Sequence, residues 1–190
     1  MTRVAIFASG NGSNAENIIQ YFRHSPQISF ELILCNHPKA TVLERADRLQ
    51  IPTRIFNRQE FYHGNEILQL LQNKSIDLII LAGFMWLIPS NIITAFPQKI
   101  INIHPALLPK YGGKGMYGDF VHQAVSRAGE TSTGITIHYV NENYDEGGII
   151  FQKSINIEKG EQPLSIAKKI HALEYQYFPV VIEQLIKEKK

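Results

Sequence analysis

Three side chains in two short stretches of this sequence have the types that acyl transfer needs. Asn102 and His104 lie in Asn102-Ile103-His104-Pro105, and Asp145 opens Asp145-Glu146-Gly147-Gly148. An amide N–H can donate to a carbonyl oxygen gaining negative charge, an imidazole can carry a proton, and a carboxylate can hold and charge the imidazole. Asn102 and His104 are two residues apart, so on an extended strand they point to the same side. Pro105 cannot donate to a ladder, so it is expected to end that strand and leave His104 near its carboxyl end. Ligands bind at that end of strands in open α/β sheets. The spacing taken alone also suits a satisfied core histidine and a turn aspartate, and at this point both readings stand.

A second stretch has the composition of an anion site. Ser9-Gly10-Asn11-Gly12-Ser13-Asn14-Ala15 falls where a first strand hands over to a first helix. Glycines there let backbone approach a ligand, and a helix N-terminus offers N–H groups to an anion. Ser13 or Asn14 as a helix cap is the plain alternative. We read anion binding together with capping, since a cap alone needs no pair of glycines. The stretch also satisfies G-x-G-x-x-A, the dinucleotide fingerprint, which wants a carboxylate at the end of the second strand. That end is Leu34-Cys35-Asn36-His37-Pro38, with no Asp or Glu, which counts against NAD. Small polar residues suit one phosphate monoester.

These residues need elements to position them. Short apolar runs predict strands at Arg3–Ser9, Ile28–Cys35, Thr53–Phe56, Asp77–Ala82 and Lys99–His104. Helical spacing predicts helices over Asn14–His24, Thr41–Gln50, Gln59–Asn73 and Ser90–Phe96, the last with Ser90 as cap. Strands alternating with helices argue for βαβ units in a parallel sheet. After a Gly-rich loop, Pro105–Gly118, the pattern changes. A helix at Asp119–Ala128 precedes two strands, Gly134–Val140 and Ile149–Ile157, and a long amphipathic helix over Pro163–Lys189. Adjacent strands suggest an antiparallel or mixed edge. The expected fold is therefore α/β: an open, mostly parallel, Rossmann-like sheet flanked by helices, with an antiparallel edge in the C-terminal half. One domain over residues 1–190 is expected, with halves 1–100 and 101–190. The end, Lys187-Glu188-Lys189-Lys190, reads as a solvated, frayed tail.

Composition narrows the class. The 190 residues are 44% hydrophobic and 19% charged, ordinary for a globular protein. A net charge of +2 is too weak to imply nucleic acid or an anionic membrane. The single cysteine, Cys35, forbids an internal disulfide and sits in an apolar run that reads as a buried strand, so it is expected to be inert. The apolar run Leu78–Ile88 is too short to span a bilayer, and the N-terminal apolar run is too short for a signal segment. A cytoplasmic location is expected. The seven His are scattered, with no H-x-x-x-H and no Cys pair, so no metal site is expected.

With these pieces assembled, the chain closely resembles the phosphoribosylglycinamide formyltransferases, folate-dependent formyltransferases of purine biosynthesis. The resemblance is carried by Ser9-Gly10-Asn11-Gly12-Ser13-Asn14, by Leu81-Ala82-Gly83-Phe84-Met85, by the run from Asn102 to Tyr111, and by Asp145-Glu146-Gly147-Gly148. It covers essentially the whole chain, in order. It implies transfer of the formyl group of 10-formyltetrahydrofolate, a co-substrate, to the amine of glycinamide ribonucleotide, without a metal. It places Asn102, His104 and Asp145 on the catalytic trio. Gly12, Ser13 and Asn14 fall on the ribonucleotide phosphate loop, Arg58 on a nearby R-x-E-F arginine, and Glu174 on a glutamate contacting the ribonucleotide. Met85, Trp86, Leu87, Ile88, Asn102, Val140 and Asn141 fall on the folate pocket. By this resemblance Asp145 is expected to raise the pKa of His104, which would act protonated. The partners implied are these small molecules, with no nucleic acid or membrane, and a monomer or weak homodimer. The chain departs from the family in three places. Trp86 stands where an Arg usually follows G-F-M, the loop after Tyr111 is longer and lacks its Pro-Gly, and His171 stands where some relatives have a basic phosphate ligand. Two rival readings remain: another formyl-folate activity such as hydrolysis, and a non-catalytic nucleotide binder.

Overall fold

Continuous apolar runs become strands and amphipathic stretches become helices. In the computed structural model, which describes residues 1–188, the first elements are β1 (Thr2–Ala8), α1 (Ser13–Tyr21), β2 (Ile28–Cys35), α2 (Val42–Arg48), β3 (Thr53–Ile55), α3 (Arg58–Tyr62), α4 (Glu66–Asn73), β4 (Leu78–Leu81) and α5 (Ser90–Ala95). Then follow β5 (Ile100–His104), α6 (Asp119–Arg127), β6 (Ser132–Tyr139), β7 (Ile149–Asn156) and α7 (Pro163–Glu188). The strands form one seven-stranded sheet in the order β3-β2-β1-β4-β5-β6-β7. β1 pairs in parallel with β2 and with β4, and β2 pairs in parallel with β3. β6 and β7 are antiparallel, with Ile135 opposite Lys153. This is the expected α/β sheet with its antiparallel edge.

The chain divides into two compact units, Met1–Ile101 and the residues from Asn102 onward. In the first, Val4 to Ala8 of β1 and Leu78 to Leu81 of β4 are buried on both faces. That is why neither strand shows polar alternation. α1 turns Ala15, Ile18 and Ile19 inward, the three-and-four spacing of one helical stripe. In the second unit, β6 is buried from Thr133 to His138, whereas β7 is mostly exposed. α7 packs on α6, β6 and β7, burying Ile166, Ile170, Phe178 and Ile182. It continues through Pro179, which removes one helical hydrogen bond, because its apolar face stays buried on both sides of that residue.

Three local expectations are corrected. The helix expected over Gln59–Asn73 is two helices, broken at residues 63–65. Asn57 and Glu60 start α3 with a reciprocal capping box, and Gly64 disfavours continuation past its end. Ser90 is the first residue of α5 rather than its cap; Pro89 holds that position. The expected frayed tail is helical through Glu188, with Lys187 paired to Glu183 at 3.1 Å. Lys189 and Lys190, the end of that tail and of the expected helix, lie outside the described residues.

Candidate active site

β5 ends at His104, and its last turn of sequence carries the amide and the imidazole. His104 is 3% exposed, while Asn102 is half-buried. Asp145 lies in the connection from β6 to β7, at φ 58, a left-handed conformation that Asp tolerates better than most residues. The chain closes tightly around it. The Tyr139 N–H donates to the Gly148 carbonyl at 2.8 Å. A Cβ on Gly147 would lie 1.7 Å from the Tyr139 carbonyl oxygen, so the turn requires glycine there. Asp145 Oδ2 accepts from the Gly113 N–H at 3.0 Å and stands 3.5 Å from His104 Nδ1. The expected imidazole–carboxylate pair is thus formed.

The electrostatics differ from expectation in one respect. Burial pushes His104 below the ordinary histidine range, and this outweighs the opposing pull of Asp145 and of the Tyr111 carbonyl. The carboxylate raises the value, as expected, but does not set its sign. Burial also pushes the Asp145 carboxyl up, yet its contact with His138, the charge of His104 and the Gly113 N–H leave it below the ordinary carboxylate range. Asp145 is therefore ionised at neutral pH. His104 Nε2 donates to the Tyr111 carbonyl at 2.8 Å, so Nδ1 is the nitrogen that can take a further proton, facing the anion.

The segment after His104 is held by one hydroxyl. Thr136 Oγ1, fully buried on β6, donates to the Ala106 carbonyl at 2.7 Å and accepts from the Leu108 N–H at 3.0 Å. Gln152 Nε2 donates to the same oxygen at 2.9 Å and to the Leu108 carbonyl at 3.0 Å. Two strands thus fix the backbone on which His104 sits.

In the first unit the glycine loop is built differently from the capping expectation. Gly12, not Ser13 or Asn14, occupies the cap position of α1, with φ 76 and no side-chain cap. A Cβ there would lie 2.3 Å from Val42 Cγ2, so both backbone and packing demand glycine. The first turn of α1 keeps the open N-terminus suited to an anion. The arginine joined to this loop is Arg45. Its Nε donates to the Asn11 carbonyl and its Nη2 to Asn11 Oδ1, both at 2.9 Å, and it pairs with Glu16. Arg58 instead lies with its guanidinium carbon 4.8 Å over the Trp86 ring centroid. Trp86 joins Phe56, Phe61, Tyr62 and Phe84 in an aromatic cluster, with Tyr62 stacked at 6.0 Å. Of its neighbours, Met85 is exposed and donates its N–H to Ser9 Oγ at 3.0 Å. The Leu87 carbonyl accepts from Tyr62 Oη at 3.1 Å, and Ile88 is buried.

In the second unit Glu174, 5% exposed, accepts from His171 Nδ1 at 2.9 Å. The hydrogen bond to Glu174 holds His171 above the ordinary histidine range. Val140 and Asn141 are half-buried at the start of the turn, where Asn141 Oδ1 accepts from the Asn143 N–H at 3.0 Å.

The formyl transferase family profile matches residues 2–182 of this sequence. The chain belongs to the formyl transferase family. It is 41% identical to the phosphoribosylglycinamide formyltransferase of Bacillus subtilis, over 98% of its own length and 95% of that protein. The structure of glycinamide ribonucleotide transformylase 1 from Geobacillus kaustophilus superposes with a TM-score of 0.88 at 37% identity, over 98% of this chain and 99% of that one. That of phosphoribosylglycinamide formyltransferase from Bacillus halodurans gives 0.88 at 35% identity, over 100% and 97%.

One residue among these side chains escaped the sequence reading. His138, 2% exposed on β6, lies 3.1 Å from Asn102 Nδ2 and 3.6 Å from Asp145 Oδ1, both measured to its Nε2. The signal was present: His138 alternates with apolar Ile137 and Tyr139 on a strand, and so shares a face with Thr136. Nothing in that alternation names its partners. Cys35 is fully buried with its thiol pushed up by burial, which leaves it a poor nucleophile. Among the described residues no group of His, Cys, Asp and Glu is arranged to hold a metal ion.

Proposed function

We propose that the chain is a phosphoribosylglycinamide formyltransferase, moving the formyl group of 10-formyltetrahydrofolate to the amine of glycinamide ribonucleotide in purine biosynthesis. The observation that carries this is the pairing of a full-length likeness with an intact trio. The Bacillus subtilis relative matches over 98% of the chain, His104 stands 3.5 Å from Asp145, and Asn102 is linked to Asp145 through His138, by contacts of 3.1 and 3.6 Å. A binder on the same sheet would need no such convergence.

In this reading the ribonucleotide amine attacks the formyl carbon directly. A C–N bond forms, the carbonyl π pair moves to oxygen, and the tetrahedral intermediate collapses as the bond to the folate nitrogen breaks. Asn102 donates an N–H to the oxyanion. His104, charged when Nδ1 takes a proton beside Asp145, stabilises the same oxygen; its Nε2–H leaves the Tyr111 carbonyl to do so. Asp145, held ionised, keeps that imidazolium in place and holds a water that carries the proton from the attacking amine to the leaving nitrogen. Gly12, Ser13 and Asn14 take the ribonucleotide phosphate at the N-terminus of α1, with Arg58 as the charged contact of the R-x-E-F motif and Glu174 on the ribose side. Met85, Trp86, Leu87, Ile88, Val140 and Asn141 serve the folate. Residues 1–100 form the phosphate-binding half and 101–190 the catalytic half of one domain. The enzyme is cytoplasmic, a monomer or weak homodimer, and needs no metal.

Absorbance at the folate chromophore, followed with and without glycinamide ribonucleotide, tests the proposal. Turnover that requires the ribonucleotide is the expected result. Folate deformylation without it would make the chain a hydrolase, and silence in both arms would make it a binder.

A further inference from the structure

We propose that His138 is a positioning residue that fixes which way the Asn102 amide faces. The inference rests on reading Asn102 as the oxyanion donor, and it follows from the partners of the two ring nitrogens. Nδ1 of His138 lies 2.8 Å from the backbone carbonyl oxygen of Tyr139. A carbonyl only accepts, so Nδ1 carries the hydrogen. In the neutral ring Nε2 then presents a lone pair. The Asn102 amide nitrogen stands 3.1 Å from that Nε2, so Asn102 donates one N–H to the ring.

The reversed amide would set the Asn102 carbonyl oxygen against the Nε2 lone pair, two acceptors with no hydrogen between them. The ring therefore selects one of two amide orientations that are equal in shape. The selected one leaves the second N–H of Asn102 for the developing oxyanion; the rejected one would offer an oxygen to an anion. His138 can do this because it is itself immobile. It is 2% exposed, and the end of β6 beside it is pinned by the Tyr139 N–H bond to Gly148 at 2.8 Å. His138 touches no reacting atom; its effect passes through Asn102 and, across 3.6 Å, through Asp145 Oδ1.

The first test is the tautomer. In protein labelled with 15N-histidine, NMR at the pH of the activity assay should show His138 protonated at Nδ1 and bare at Nε2. A ring protonated at Nε2 would overturn the proposal. This measurement needs no turnover, so its failure is distinct from failure of the formyl-transfer reading. The second test is kinetic. His138→Phe keeps a ring but no acceptor, and should lower kcat by about 10- to 100-fold, the scale of one misplaced oxyanion donor, with both KM values within roughly twofold. His138→Gln, which returns an oxygen near the Nε2 position, should recover most of the loss. In an Asn102→Ala background His138→Phe should cost much less, the remainder being its contact with Asp145. An equal penalty in both backgrounds, or a Gln variant no better than Phe, would overturn the role. Should the Phe variant fail to fold, the tautomer decides the question.

Discussion

Thr136→Val replaces one buried hydroxyl by a methyl of nearly the same shape. In the native protein that hydroxyl satisfies the Ala106 carbonyl at 2.7 Å and the Leu108 N–H at 3.0 Å, and takes a third bond from Gln152. Ala106, Leu108 and Thr136 are all buried, so water cannot replace the lost partner without opening the segment. Gln152 keeps its bond to the Leu108 carbonyl and loses less. An unpaired buried polar group costs about 1–3 kcal/mol, so two backbone groups should cost about 2–6 kcal/mol, with the added methyl returning a little. For a domain of this size the same loss lowers Tm by roughly 4–24 °C. Thr136→Ser keeps the oxygen and removes a methyl, which should cost only about 1 kcal/mol. Urea unfolding of the three proteins ranks them. The segment also follows His104 directly, so kcat should fall in the Val variant and stay near native in the Ser variant. A Val variant as stable as wild type, or a Ser variant less stable than Val, would refute the reasoning that this hydroxyl holds the loop.

His104→Ala should leave the fold intact and lower kcat by roughly 100-fold or more, the scale of one lost acid–base or oxyanion group; a near-native kcat with native circular dichroism would remove His104 from the chemistry. Asp145→Asn takes away the anion that raises His104, so the His104 pKa should fall further below its ordinary value, and the limb on which kcat falls as pH rises, where His104 loses its proton, should shift to lower pH with it; NMR titration of His104 in both proteins checks this, and an unchanged value would separate the two groups. His171 has a raised folded pKa through Glu174, so its pair adds stability that is fully present below the unfolded histidine pKa and is lost as pH rises through the folded value. Glu174→Gln should flatten that part of the stability-versus-pH curve, and an unaltered curve would mean the pair is energetically silent. Trp86, the sole tryptophan, lies under Arg58, so Arg58→Ala should change its emission in the free protein, and saturating 10-formyltetrahydrofolate should change it in the wild type. Emission unmoved by folate after inner-filter correction would confine Trp86 to packing.

Local sequence determined the elements because burial on both faces leaves a signature independent of partners. Val4–Ala8 and Leu78–Leu81 can only be interior strands, and the mixed pattern after residue 130 announces the antiparallel edge. It also determined the chemistry on offer: Asn102, His104 and Pro105 at a strand end, and the D-E-G-G turn, whose Gly147 has no room for a side chain. Where signals were short-range but competing, the reading slipped. Apolar residues on either side of Gly64 looked like one helix; the capping box at Asn57 fixes only where α3 starts, and the break falls at residues 63–65 around Gly64. What the sequence could not determine is the outcome of packing between distant segments. Whether Arg45 or Arg58 joins the glycine loop depends on α2 lying beside Asn11 and α3 lying beside Trp86, not on either motif. The sign of the His104 shift depends on a contest between depth of burial and the charge of Asp145, and neither is written in the residues around position 104. His138 acquires its meaning only when β6 lies where its ring meets both Asn102 and Asp145, because a hydrogen-bond partner is a matter of distance and direction that no single strand contains.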